Sequence, residues 1–453
     1  MKRFRLYAIL IAMVTFVACS DDDFESIITT DLGTETLKFS ADGGEQTFVL
    51  NSNDKWFVSD LPEWLSVEVK DLEEVATRSG SYTEGKKEVT VVAEANLENE
   101  IRKAELILST LNGKMVKLTV TQERQLALAG YWILSEGSMN SNNSELAWFD
   151  IDENKVLEKQ FSALNKKPLG DTGNQLTLYG SKMYVIVSGG GFTTETSNDN
   201  SYIEVINPDD GNSIKRIPFE NAEGIPAKPR KIIFEDGYGY ISSYSNEVVR
   251  LDTVSLTLDA HASLSGTMAE GLTYNNGSLY ICNGGQGADN KISVVDIENM
   301  KETKVITTAY NPNHIISTSS GDIYFNTDWP EYKLYKLTIA DEEVTEAPGL
   351  SVADLTFSNN NIYTSFFDWN SFSGSIYQIN TTTEEPSKFN LDFESVDMPT
   401  IQEYHIGTIN GSNNLYLTGM NDEVVIFDPA TKAIKHAFRT GVPSGSGVVA
   451  VYR

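Results

Sequence analysis

Ile232-Ile233-Phe234, Gly239-Tyr240-Ile241-Ser242 and Val248-Val249-Arg250-Leu251-Asp252 form a phrase that returns as Leu272-Thr273-Tyr274, Ser278-Leu279-Tyr280-Ile281-Cys282 and Ile292-Ser293-Val294-Val295-Asp296. Each copy has a first strand ending at a Gly or Asn turn, a second carrying an aromatic before small polar residues, and a third ending in Asp or Asn. The interval is about 40 to 50 residues, the length of one four-stranded propeller blade. Four further copies are built around Met183-Tyr184-Val185, Ile323-Tyr324-Phe325, Ile362-Tyr363-Thr364 and Leu415-Tyr416-Leu417.

A seventh copy begins at Gly130-Tyr131-Trp132-Ile133-Leu134 and continues at Leu146-Ala147-Trp148-Phe149-Asp150, but no inner strand precedes it. The C-terminal run Gly447-Val448-Val449-Ala450-Val451-Tyr452 has no second strand after it. Residues 128–453 are therefore expected to form a seven-bladed β-propeller in which the last strand completes the first blade. Such closure leaves no long unpaired sheet edge.

Upstream, residues 35–125 show period-two alternation broken by turn residues and no sustained helical period. This predicts a separate small β-sandwich, with Trp56, Trp64 and Leu65 in its core and one long loop from Glu73 to Lys87. The fold class expected is all-β, an N-terminal β-sandwich followed by the propeller. At 453 residues the chain is long enough for two such domains.

Lys2, Arg3 and Arg5 precede an apolar run from Leu6 to Ala18 that is too short for a permanent membrane span but fits a secretory signal. Residues 1–18 are thus expected to be removed. Phe16-Val17-Ala18-Cys19 resembles a lipobox, which implies lipidation of Cys19. Residues 19–34 are expected to be an acidic tether. Its start, Ser20-Asp21-Asp22-Asp23, resembles the export signal of Bacteroidetes-type surface lipoproteins, implying an outer-membrane location facing the outside. Only Cys282 remains otherwise, so no intramolecular disulfide is expected once Cys19 is acylated. The formal charge of −29 repels phosphate backbones and argues against a nucleic-acid partner.

The repeat also sorts the connections. Turns between first and second strands are short: Glu235-Asp236-Gly237, Asn275-Asn276-Gly277, Ser319-Ser320-Gly321 and Asn359-Asn360-Asn361. Loops between second and third strands are longer and carry aromatics and amides, and they share one end of the ring with the entries to the inner strands. The expected ligand-binding residues at that end are Phe192, Tyr244, Gln286, Asp328, Trp329, Tyr332, Phe367, Asp368 and Trp369 from the loops. Arg230, His314 and Tyr404 join them from the strand entries.

Catalysis is not signalled. No Gly-x-Ser-x-Gly elbow is found, and Gly189-Gly190-Gly191 is not followed by a helix that would cradle a phosphate. The recurrent Asp150, Asp252, Asp296 and Asp428 are expected to cap turns. His261, His314, His405 and His436 are read as lying in separate blades without close metal-ligand spacing; a metal centre assembled from different blades stays open, and no metal or catalytic residue and no cofactor is assigned.

Two resemblances extend these readings. Asp42-Gly43-Gly44, Trp56, Pro62-Glu63-Trp64-Leu65, Asn96, Arg102 and Val120-Thr121-Gln122 resemble the BACON family along the whole small module, implying a loose carbohydrate association. Pro168-Leu169-Gly170-Asp171, Pro229-Arg230-Lys231-Ile232, Val294-Val295-Asp296 and Asn311-Pro312-Asn313-His314-Ile315 resemble the YncE-like propellers of surface lipoproteins, and among them the BtuG-like group. That resemblance implies capture of cobalamin or a related corrinoid and its transfer to a TonB-dependent outer-membrane transporter. The alternatives are a glycan-binding surface lipoprotein and a metal-dependent, lactonase-like propeller hydrolase.

Overall fold

A computed structural model of the chain describes residues 25–71, 85–98, 100–191, 200–287, 289–396, 398 and 403–453. Cys19 and the rest of the proposed signal lie outside the described residues. The chain divides into two compact units, Met1–Ala127 and Leu128–Arg453.

The first unit contains two four-stranded sheets. One takes Gly44–Ser52 and Gly85–Ala93 as its centre; the other pairs Arg102–Thr110 with Met115–Gln122 and adds Thr36–Phe39 in parallel. Alternate residues of each strand face inward, so Phe48, Leu50, Val89, Val91, Leu106, Leu108, Leu118 and Val120 fill one core. Trp56 and Leu65 join it, and Trp64 packs on its margin beneath the Arg102 guanidinium. Gln122 and Asn96, both buried, donate to loop carbonyls at Glu94, Glu100 and Glu123.

Two boundaries differ from the sequence reading. Ile28–Thr30, placed in the tether, pairs as a strand with Leu50–Ser52, because its β-branched residues complete an otherwise open edge. Gly85, Lys86 and Lys87, placed in the long loop, open the strand Gly85–Ala93; residues 73–84 of that loop lie outside the described residues.

Among the described residues the second unit is built of seven four-stranded antiparallel sheets. Their first strands, Gly173–Tyr179, Pro229–Glu235, Ala269–Asn275, Pro312–Ser317, Asp354–Ser358, Glu403–Thr408 and Gly445–Tyr452, adjoin one another in sequence order, and the last adjoins the first. That cycle is a seven-bladed propeller. Gly445–Tyr452 pairs with Leu128–Ser135, aligning Val448 with Ile133 and Val449 with Trp132, so both chain ends share the first blade. Buried apolar faces between neighbouring sheets supply the core, for example Tyr184, Ile203, Val205, Ile232, Ile241 and Val249 between the second and third.

The short turns obey their residues. Asp236-Gly237 and Asn276-Gly277 both have positive φ at two successive positions, the geometry that lets a two-residue loop follow the sheet twist. Asp150, Asp252, Asp296 and Asp428 accept backbone N–H groups two or three residues on, capping the turns after the third strands.

Inner strands approach closely at Gly271, where a Cβ would lie 2.4 Å from the Asn313 carbonyl oxygen and 3.1 Å from His314 Cα. Gly271→Ala must therefore push the fourth and fifth sheets apart. The expected cost is about 1–3 kcal/mol, read as a lowered urea midpoint.

Candidate functional site

One register position recurs on every inner strand, immediately before the residue that packs into the blade interface. Ile232, Leu272, Ile315 and Ile406 pair across to Ile241, Ile281, Phe325 and Leu417. The residues just ahead of them are Lys231, Gly271, His314 and His405, with Gln175 and Asp354 at the same place in the second and sixth sheets. A register shift precedes the position in the inner strands of all sheets but the sixth. Bulges of this kind set two residues against one on the partner strand and re-aim their side chains. Here Arg230 with Lys231, and Asn313 with His314, line the channel together.

Lys231, His314 and His405 line two cavities, one toward each end of the ring. The larger holds about 990 Å³ and opens among the long loops; the smaller, about 440 Å³, is bounded by Ile233, Thr273, Ser317 and Thr408. These three residues therefore stand at a neck. The larger volume lies at the top of the range of about 300–1,000 Å³ for small-molecule sites.

Nine of the twelve expected binding residues border the large cavity: Arg230, Tyr244, His314, Asp328, Trp329, Tyr332, Phe367, Asp368 and Trp369. Phe192 lies outside the described residues, as do the side chains of Gln286 and Tyr404. Trp329 and Trp369 are 69% and 51% exposed, and Phe372 and Tyr310, which the sequence reading did not assign, are 67% and 51% exposed. Trp369, Phe372 and Phe367 pack edge to face, and Tyr332 leans on Phe366. Large apolar side chains held open to solvent in one cluster mark an interaction surface.

Three expected roles change. Phe367 and Asp368, expected in a loop, instead continue with Phe366 the strand Asn361–Asp368, pairing with Ser373–Ser375; only Trp369–Phe372 form the turn. β-Propensity of the aromatics extends this hairpin, which presents its tip at the mouth. Tyr244, read as an exposed face, is buried: its hydroxyl donates to Glu270, and the Arg230 guanidinium lies 4.7 Å from its ring centroid. It fixes the floor of the mouth. Asp368 accepts the Asn370 N–H at 2.9 Å and the Ser371 hydroxyl at 2.8 Å, and these bonds hold its carboxyl below its usual range while capping the hairpin turn. Asp328 accepts from Asn313 Nδ2 at 3.2 Å, tying the Asp328–Tyr332 loop to the channel wall.

The histidines also fall differently. His405 and His436 belong to one sheet, on its innermost strand Glu403–Thr408 and its outermost strand Ala433–Arg439, because the phrase containing Tyr416 spans both. Conversely His314 and His405, from different sheets, come together with ring centroids 6.1 Å apart. Between them stands Asp354, whose Oδ1 is 3.1 Å from His314 Nδ1 and Oδ2 3.0 Å from His405 Nδ1. The Leu355 and Ile406 N–H groups donate to the same two oxygens at 2.7 and 3.1 Å. Aligning the seven inner strands on the residue before the buried Ile or Leu would have revealed this grouping; sequence spacing alone hides it.

Burial works to raise the Asp354 carboxyl, but His314, His405 and Lys231 outweigh it and hold it down at about 2. Burial lowers His314, helped by Lys231 and His405 against the pull of Asp354. Lys231 is likewise lowered, first by burial and then by Arg230, while its ammonium donates to the Asn174 carbonyl at 3.0 Å. Arg230 is raised: Glu270 and Tyr244 overcome its burial, and it bonds Glu270 at 3.0 Å.

The signs of these shifts predict acid sensitivity in two stages. A histidine with a lowered folded value loses stability for the protein as pH falls through its ordinary 6.5, where the unfolded chain protonates first. The Asp354 contribution, about 2 kcal/mol, is complete above the ordinary 3.8 and disappears as pH falls toward 2. Urea titrations at stepped pH should show both, and His314→Gln should flatten the first.

No family model and no curated protein matches the chain. Among solved structures it is similar to Kuenenia stuttgartiensis hydrazine synthase, at 14% identity and a TM-score of 0.49 over 61% of this chain and 89% of that one. It is also similar to a quinonprotein alcohol dehydrogenase-like protein from Bacteroides thetaiotaomicron VPI-5482, at 14% identity and a TM-score of 0.46 over 91% and 96%. A third is the WD40 repeats of RRP9, at 9% identity and a TM-score of 0.44 over 61% and 83%.

Proposed function

We propose that this chain is a lipid-anchored outer-membrane protein that captures an extracellular solute at the aromatic mouth of its propeller, a corrinoid such as cobalamin being the first candidate, for delivery to a TonB-dependent transporter. The observation that carries the reading is the gathering of Trp329, Trp369 and Tyr310, all more than half exposed, around one cavity of about 990 Å³, with the exposed Phe372 ring packed edge to face against Trp369. Exposed ring faces bind flat apolar surface, and the amides of Asn313 and Asn370 at the same cavity supply orienting hydrogen bonds. A large, flat, amide-fringed solute suits that combination. Both cations and carboxylates line the mouth, Arg230 and Lys231 beside Glu270 and Asp328, so a solute of low net charge is favoured over a polyanion.

Attachment to the membrane rests on Cys19 and the segment before it, and the small first unit, BACON-like in sequence, serves in this reading as the spacer. The propeller is proposed to be YncE-like and, within that, BtuG-like.

Calorimetric titration of the full-length protein with cyanocobalamin should give saturable heat at micromolar ligand. Silence with cyanocobalamin, together with saturable binding of a neutral oligosaccharide, would replace the corrinoid by a glycan at the same mouth. Silence with both would remove the capture reading.

A further inference from the structure

Below the mouth, His314, Asp354 and His405 come from three successive sheets to one point of the channel, and their donor atoms all lie within 4.8 Å of one another. The geometry points to a binding site for a single divalent transition-metal ion of the zinc class at this neck, held by two imidazole nitrogens and one carboxylate. The inference does not depend on what the mouth binds.

The donor set is the first ground. Two imidazoles with one carboxylate is a set that zinc and its first-row neighbours take, leaving further positions for water or solute. Distances are the second. Donors sharing one ion at about 2.1 Å stand roughly 3.0–3.5 Å apart. His314 Nδ1 and His405 Nδ1 already lie 3.1 and 3.0 Å from the two Asp354 oxygens. Because these are separate oxygens, one ion requires the remaining separations, which lie within 4.8 Å, to close somewhat, and rotation of the rings provides for that.

Preorganisation is the third ground. Each Asp354 oxygen is pinned by one backbone N–H, from Leu355 in its own strand and from Ile406 in the next blade, so the plane of the carboxylate is fixed by the propeller itself. The second lone pair of each oxygen is directed at a histidine. Without an ion the same contacts are hydrogen bonds, which keep the three side chains assembled at little cost. Access is the fourth: His314 and His405 line the cavities on both sides of the neck, and Asp354 lines the smaller one. Lys231 is the cationic neighbour that opposes an ion, and its ammonium is engaged by the Asn174 carbonyl of the second sheet.

The test is equilibrium dialysis of chelator-stripped full-length protein against Zn²⁺, with Co²⁺ as the optical reporter. Expected are one bound equivalent, visible Co²⁺ ligand-field bands, and at least tenfold weaker binding in His314→Gln and in His405→Gln. Glutamine keeps a donor for Asp354, so folding is checked by circular dichroism. Should the variants not fold, proton resonances of two histidines shifted by Co²⁺ in the unaltered protein give the same assignment. Binding far below one equivalent would overturn the site. So would a full equivalent retained by a folded His314→Gln/His405→Gln double variant, or Co²⁺-shifted resonances from any other pair.

Discussion

Ending the chain at Ser444 should abolish cooperative folding of the second unit, with loss of near-ultraviolet circular dichroism and appearance of aggregates on gel filtration. The deleted strand Gly445–Tyr452 buries Val448, Val449, Ala450 and Val451, each 4% exposed or less. At about 1.5–3 kcal/mol per buried valine, the three valines alone contribute roughly 5 kcal/mol or more. That equals the whole net stability of many domains, about 5–15 kcal/mol. The loss is compounded because Leu128–Ser135 becomes an open edge, and because the inner strands Glu403–Thr408 and Gly173–Tyr179 lose the neighbour that joins them around the ring. A truncated chain with an unchanged unfolding midpoint would mean that the terminal strand does not close the ring.

The second large effect concerns binding without stability. Trp329→Ala and Trp369→Ala should each weaken cyanocobalamin binding by roughly 30-fold or more, the loss expected when a central aromatic anchor worth about 2 kcal/mol is truncated. Their unfolding midpoints should hardly move, because both side chains already stand largely in solvent. Trp132→Ala provides the contrast. That indole is 4% exposed, donates to the Pro208 carbonyl at 2.8 Å and packs 5.0 Å from Trp148, so its removal should unfold the first blade while touching no ligand. Equal loss of binding and stability in all three variants would assign Trp329 and Trp369 to the scaffold.

The ring was legible because its signal repeats: a tyrosine before a buried residue on every second strand from the second sheet on, and a Gly or Asn turn ahead of it. Closure was legible from what each end lacked, an inner strand before Gly130 and a partner after Tyr452. The face on which the long loops gather also followed from strand order. Other features depend on which way a side chain turns. Ser243-Tyr244-Ser245 reads as an exposed polar loop, yet the Tyr244 ring is drawn under Arg230 and onto Glu270, a partner on another sheet. The neck was hidden for the same reason. His314, Asp354 and His405 are separated by a blade length each, and only the shared register position of the inner strands brings them together. Ile28–Thr30 was missed because a three-residue strand has too little pattern to stand out beside an acidic run.

Hydrogen exchange with and without saturating cyanocobalamin tests the central claim, that one mouth of the ring is the binding surface. Slowed exchange is expected in the Tyr310–Asn313 and Asp328–Tyr332 segments and around the Trp369–Phe372 turn, with no change at Asp236-Gly237, Asn276-Gly277, Ser320-Gly321 or Asn359-Asn360 on the other end. Protection at those opposite turns, or none anywhere, would contradict it.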